Sequence, residues 1–105
     1  MDKREVINIV KKYVNSISNI EKPEKIYLYG SYSKGKANKD SDIDVALVYD
    51  EFNGNYIKTL GDLYFKTIDI DTRIEPIIIE RKNDPSGFLY DIEKTGIEIN
   101  WNLVV

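Results

Sequence analysis

Apolar side chains recur every three or four residues near the start of the chain: Val6, Ile9, Val10, Tyr13, Ile17 and Ile20. That spacing predicts an amphipathic helix over 2–20. Asp2 followed by Glu5 reads as a capping box with Asp in place of Ser or Thr. Glu21-Lys22-Pro23 predicts the helix end, because the residue before a proline is pushed out of the helical region. The pattern then changes. Residues 25–29, KIYLY, read as a buried strand running into Gly30. Residues 42–49, DIDVALVY, form a second run whose near-continuous apolar character predicts cover on both faces, and hence a central strand. A short helix over 31–36 and a polar loop over 37–41 are expected between them.

Asn53-Gly54-Asn55 is a turn signal. Ile57, Leu60, Leu63 and Tyr64 follow at helical spacing, so a helix over 56–66 is expected to bury them, although Gly61 weakens it. A third strand is expected over roughly 68–80. Pro76 has no N–H for a ladder, which puts that strand at a sheet edge or bulges it. Asn83-Asp84-Pro85-Ser86 opens a last helix over 86–94, with Phe88, Leu89 and Ile92 inward and Gly96 as its C-terminal cap. Residues 97–104 add a final short strand. The alternation α-β-α-β-α-β-α-β predicts an α/β fold with a mixed sheet and flanking helices, a single domain over 1–105.

Composition narrows the chemistry. The 105 residues include no His and no Cys. That excludes Ser-His-Asp triads, Cys nucleophiles, His-ligated zinc, haem and iron–sulfur centres built from this chain alone. Carboxylates, hydroxyls, Lys, Arg and a bound metal remain. The net charge of −3 argues against general nucleic-acid binding, which needs a basic face. No apolar run approaches the length of a membrane span, and the start, Met-Asp-Lys-Arg-Glu, lacks a signal peptide's apolar stretch. The expected location is the cytoplasm. Eight tyrosines are expected mostly as core fillers with the hydroxyl reaching water. Tyr32 could instead line a nucleotide cleft, and Trp101 is expected to serve packing or an interface.

The informative stretch is Gly30 to Val48, GSYSKGKANKDSDIDVALV. Strand alternation projects Asp42 and Asp44 to one face. Two close carboxylates repel unless a cation sits between them, and magnesium prefers oxygen ligands, completing its shell with water and phosphates. Upstream, Gly30-Ser31 after a strand could bring backbone N–H groups and a hydroxyl to a phosphate. Lys34, Lys36 and Lys39 add positive charge. Each piece alone reads more simply as a turn, a solvated strand end or a solvated face; the spacing makes the combination informative.

That pattern, Gly-Ser-x10-Asp-x-Asp, resembles the minimal nucleotidyltransferase (MNT) family within the DNA polymerase β-like nucleotidyltransferases. The segment Phe88 to Ile99 is similar to that family's closing helix and strand. The resemblance implies a nucleotidyltransferase fold and a magnesium-dependent enzyme, with two ions expected and ATP as substrate. It assigns Gly30, Ser31 and Lys34 to the nucleotide, and Asp42 and Asp44 to metal and catalysis. It calls for a third carboxylate on a later strand. Read as one unbroken strand, that region puts Asp69, Asp71, Arg73 and Glu75 on one face. Glu75, between Ile74 and Pro76-Ile77, is the first choice and Asp71 the second; Arg73 pairs with its acidic neighbours or contacts phosphate.

Small members of the family are similar to antitoxins of HEPN/MNT toxin–antitoxin pairs, which implies transfer of AMP to a tyrosine of a HEPN-type toxin in a type VII-like system. Competing readings are a subunit that neutralises its partner by contact alone, a small-molecule nucleotidyltransferase subunit, and a nucleotide sensor. The oligomeric state is left open.

Overall fold

In a computed structural model, residues 3–38 and 40–100 are described. Among them the order is α1 (Lys3–Ser16), β1 (Lys25–Tyr29), β2 (Ile43–Tyr49), α2 (Tyr56–Thr67), β3 (Ile74–Glu80), α3 (Phe88–Thr95) and β4 (Ile97–Glu98). The four strands form one mixed sheet in the order β3-β2-β1-β4. β1 is antiparallel to β2 and to β4, and β2 is parallel to β3. The α/β expectation therefore holds, with β2 internal as its apolar run predicts.

The two sheet faces carry separate cores. Ile26 and Leu28 of β1, Ile43, Val45 and Leu47 of β2 and Ile74 and Ile78 of β3 meet Val6, Val10, Tyr13 and Val14 of α1 and Leu63 of α2. The Tyr13 hydroxyl donates to the Leu63 carbonyl at 2.8 Å, tying the two helices together in the interior. The other face is covered by the shorter α3: Leu89 and Ile92 pack on Tyr27, Ala46, Val48 and Ile79.

Several boundaries differ from expectation, each for a local reason. α1 ends at Ser16, well before Pro23. The Ser16 hydroxyl donates to the Tyr13 carbonyl at 2.6 Å, and short polar side chains of this kind compete with helical bonding. Residues 31–35 are turns and residue 36 is irregular, rather than a helix. α2 is rotated from the expected face: Thr59, Leu63 and Thr67 are buried, while Ile57 is 81% exposed and Tyr64 is 43% exposed. Phe88 is likewise partly exposed rather than inward.

β3 begins only at Ile74. The register Asp44↔Glu75, Val45↔Pro76, Ala46↔Ile77 runs through without a bulge. Pro76 is accommodated because β3 is an edge strand, where a missing donor can face away from the ladder. Gly96 does cap α3, its N–H reaching Ile92 O at 2.7 Å. Its backbone is extended rather than left-handed, so space is the requirement: a Cβ there would lie 2.6 Å from the Ile92 carbonyl oxygen. The expectations for Asp2, Lys39, Trp101 and the last strand residues 101–104 lie outside the described residues.

Candidate active site

The mixed strand directions bring three chain segments to one end of the sheet: the exit of β1, the entry of β2 and the entry of β3. Asp44 sits in the middle of this end. Its partner across the antiparallel ladder is Tyr29, and across the parallel ladder Glu75. Neighbouring strands lie about 4.8 Å apart, so Tyr29, Asp44 and Glu75 form one row of side chains on the α3 face. Asp42, two residues before Asp44, is exposed just ahead of β2.

Burial pushes the Asp44 carboxyl up to about 6, with Glu75 and then Asp42 adding repulsion. That is the signature of negative charge without compensation. The same field reaches two phenols. Burial raises Tyr29, followed by Asp44 and Glu75. Burial also raises Tyr64 on α2, followed by Glu75, Asp42 and Asp44. Tyr64, expected in the core, thus overlooks the carboxylates from α2; only an exact helix phase would have revealed it.

Gly30 follows Tyr29 with φ +75°, a left-handed conformation that L side chains adopt at a cost. A Cβ there would collide with the Asp44 carboxylate. The Gly30 carbonyl accepts from the Ser33 hydroxyl at 2.9 Å and from the Lys34 N–H at 3.1 Å. The Ser31 carbonyl accepts from the Lys36 N–H at 3.0 Å. This is a hydrogen-bonded turn and not a helix terminus, and the space beside Gly30 is taken by the Asp44 carboxylate. Lys34 is exposed beside it. Tyr32 is core: it is 4% exposed, and its hydroxyl donates to the Asn38 carbonyl at 3.0 Å, closing the loop.

Asp71 is placed differently from Glu75. It precedes β3 and accepts from Arg73 three times: backbone N–H at 2.9 Å, Nε at 3.0 Å and Nη2 at 2.6 Å. Those bonds hold its carboxyl below the usual range. Asp69 is exposed in the turn after α2. The expected alignment of Asp69, Asp71, Arg73 and Glu75 on one strand therefore fails, and Glu75 alone of the four stands in the sheet beside Asp44.

The donor set suits a hard cation: all oxygen and mutually repelling, with Gly30 leaving room for the Asp44 carboxylate. Among the described residues no three carboxylates close into a complete cage, so a cation here must take further ligands from phosphate and water, as magnesium does. A cavity of about 450 Å³ lies elsewhere, between residues 19–21 and α2. It includes none of the Asp42, Asp44 and Glu75 carboxylates, which sit on an open shelf. Among the described residues no helix is long and apolar enough to cross a membrane.

Residues 8–101 match the family model described as polymerase beta, nucleotidyltransferase, and the chain belongs to that family of enzymes. It is 30% identical over 101 residues to the "Putative protein adenylyltransferase MJ0141" of Methanocaldococcus jannaschii, covering 90% of this chain and 99% of that protein. Its fold matches a crystal structure of a "putative nucleotidyltransferase" from Sulfolobus solfataricus, with TM-score 0.61, 18% identity, and 91% and 80% of the two chains covered. It also matches the complex of tri-AMPylated Shewanella oneidensis HEPN toxin with MNT antitoxin, with TM-score 0.54, 20% identity, and 93% and 71% covered.

Proposed function

We propose that this chain is a magnesium-dependent protein adenylyltransferase that moves AMP from ATP to a tyrosine hydroxyl of a HEPN-type toxin, and so acts as the antitoxin of a toxin–antitoxin pair. The observation that carries the reading is the register of Asp44 beside Glu75, next to the Gly30 turn. The relative named as an adenylyltransferase and the MNT antitoxin complex with an AMPylated toxin support the acceptor class.

Ser31 and the backbone N–H groups of its turn bind the triphosphate, and the exposed Lys34 offsets part of its charge. Asp42, Asp44 and Glu75 are the residues that would hold magnesium, one or two ions, together with phosphate oxygens. When bound, magnesium stabilises charge on the attacking and leaving oxygens of an in-line displacement. A Glu75 carboxylate oxygen takes the proton of the acceptor hydroxyl. The acceptor oxygen bonds to the α-phosphorus, the bond from that phosphorus to the bridging oxygen of the β-phosphate breaks, and pyrophosphate leaves. Positioning and charge neutralisation supply most of the rate.

The test is incubation of the purified chain with α-labelled ATP, magnesium and a HEPN-type protein. Label on a tyrosine of that protein supports the reading; a stable complex without transfer overturns it. The latter outcome would fit neutralisation by contact, a reading favoured by one observation: Ile57 and Phe65 of α2 and Ile68 at its C-terminal cap are exposed apolar side chains.

A further inference from the structure

Beside the carboxylate row stands an aromatic pair outside the catalytic machinery described above. Phe88 opens α3, and its ring meets Tyr29 nearly at right angles, 85°, with centroids 5.8 Å apart. Phe88 is 42% exposed and belongs to neither core cluster, while Tyr29 only flanks the smaller one. The pair therefore does little to hold the sheet and α3 together; Leu89 and Ile92 do that. The Tyr29 hydroxyl has no hydrogen-bond partner among the described residues. Two rings set edge to face form a corner. A third ring can stack on one while meeting the other with its edge, the arrangement that aromatic quadrupoles favour. Tyr29 lies directly opposite Asp44, so the pair borders the carboxylate end of the sheet.

We infer that Tyr29 and Phe88 form a subsite for a planar aromatic ring, delivered to the Asp44–Glu75 end of the sheet. The inference rests on the transfer reading, in which two rings approach this point: the nucleobase and the ring of an acceptor tyrosine. Both offer the same chemistry to the corner, and the experiment separates them.

Calorimetry on the whole chain with magnesium compares three probes: ATP, inorganic tripolyphosphate and N-acetyl-tyrosinamide. The variants are Phe88→Ala, Tyr29→Leu and, as a control on the same helix, the 71% exposed Tyr90→Ala. The expected result is a loss of roughly threefold to tenfold in affinity for one ring-bearing probe in both Phe88→Ala and Tyr29→Leu. Tripolyphosphate binding should be unchanged, and Tyr90→Ala should behave as wild type. Loss confined to ATP assigns the corner to the base; loss confined to the tyrosinamide assigns it to the acceptor. Unchanged binding of both rings, or an equal loss for tripolyphosphate, overturns the subsite and leaves the transfer reading standing. Failure of the wild-type chain to bind either ATP or tripolyphosphate overturns both.

Discussion

Gly30 and Asp44 share one volume: the space a Cβ on Gly30 would occupy is filled by the Asp44 carboxylate. Gly30→Ala therefore carries two penalties, the left-handed φ and the displaced carboxylate. We expect a stability loss of about 1–2 kcal/mol, read in denaturant melts, and a fall in nucleotidyl transfer of more than about tenfold.

Asp44 should destabilise the fold at neutral pH. Its folded value of about 6 lies above the ordinary 3.8, so between those values the folded state binds more protons than the unfolded one. Stability then falls as pH rises through that window. With a half-buried group partly screened by solvent, the change is roughly 1–2 kcal/mol. Asp44→Asn should remove this slope and melt higher than wild type at pH 7.5, while abolishing transfer. Denaturation curves at pH 4.5 and 7.5 check the first part; a variant less stable than wild type at pH 7.5 contradicts it.

Glu75 and Asp71 should separate cleanly. Glu75→Gln changes an exposed side chain and should leave stability within about 0.5 kcal/mol while transfer is lost. Asp71→Asn weakens three bonds to Arg73 and should cost about 1–3 kcal/mol with transfer largely retained. Loss of transfer in Asp71→Asn alone would exchange their roles.

Ser31→Ala should weaken ATP binding by about 1.5–3 kcal/mol, the worth of one charge-assisted hydrogen bond. Calorimetry reads it directly, and unaltered affinity would leave Ser31 as a turn residue only.

The phase of α2 is testable by stability alone. Leu63→Ala should cost about 2–5 kcal/mol because Leu63 is fully buried. Ile57→Ala should change stability by less than about 0.5 kcal/mol, a contrast that the expected inward face for Ile57 would erase.

Periodicity was enough to foresee β2 as an internal strand, because its apolar run is explained only by cover on both faces. The sequence places Asp44 on β2 and Glu75 on the next strand, and the register sets them side by side; the apolar setting expected for Glu75 does not hold, because its side chain is exposed. The start of β3 was not legible. Ile68-Asp-Ile-Asp alternates like a strand, but the Thr67 carbonyl takes the N–H groups of Ile70 and Asp71, and Asp71 folds back onto Arg73. Local hydrogen bonds of this kind override a period-two pattern. The helix expected at 31–36 does not continue past one turn: Lys34 bonds back to Gly30 as a helix would, but the Lys36 N–H goes to the Ser31 carbonyl five residues back and Gly35 turns left-handed at φ +71°. Hydrophobic spacing cannot give the inward face of α2, because Thr59 and Thr67, polar by type, are buried there with Leu63.

The sheet also divides its labour lengthwise. Every residue assigned to chemistry stands where β1 ends and β2 and β3 begin. The segment 50–55 lies at the opposite end, where Lys82 pairs with Asp50 and Glu51 at the protein surface. That loop is a natural place to graft an epitope or fluorescent tag, or to join new termini after circular permutation. A label at Asn53-Gly54 would report on the whole chain while leaving the chemical end free to meet its partner.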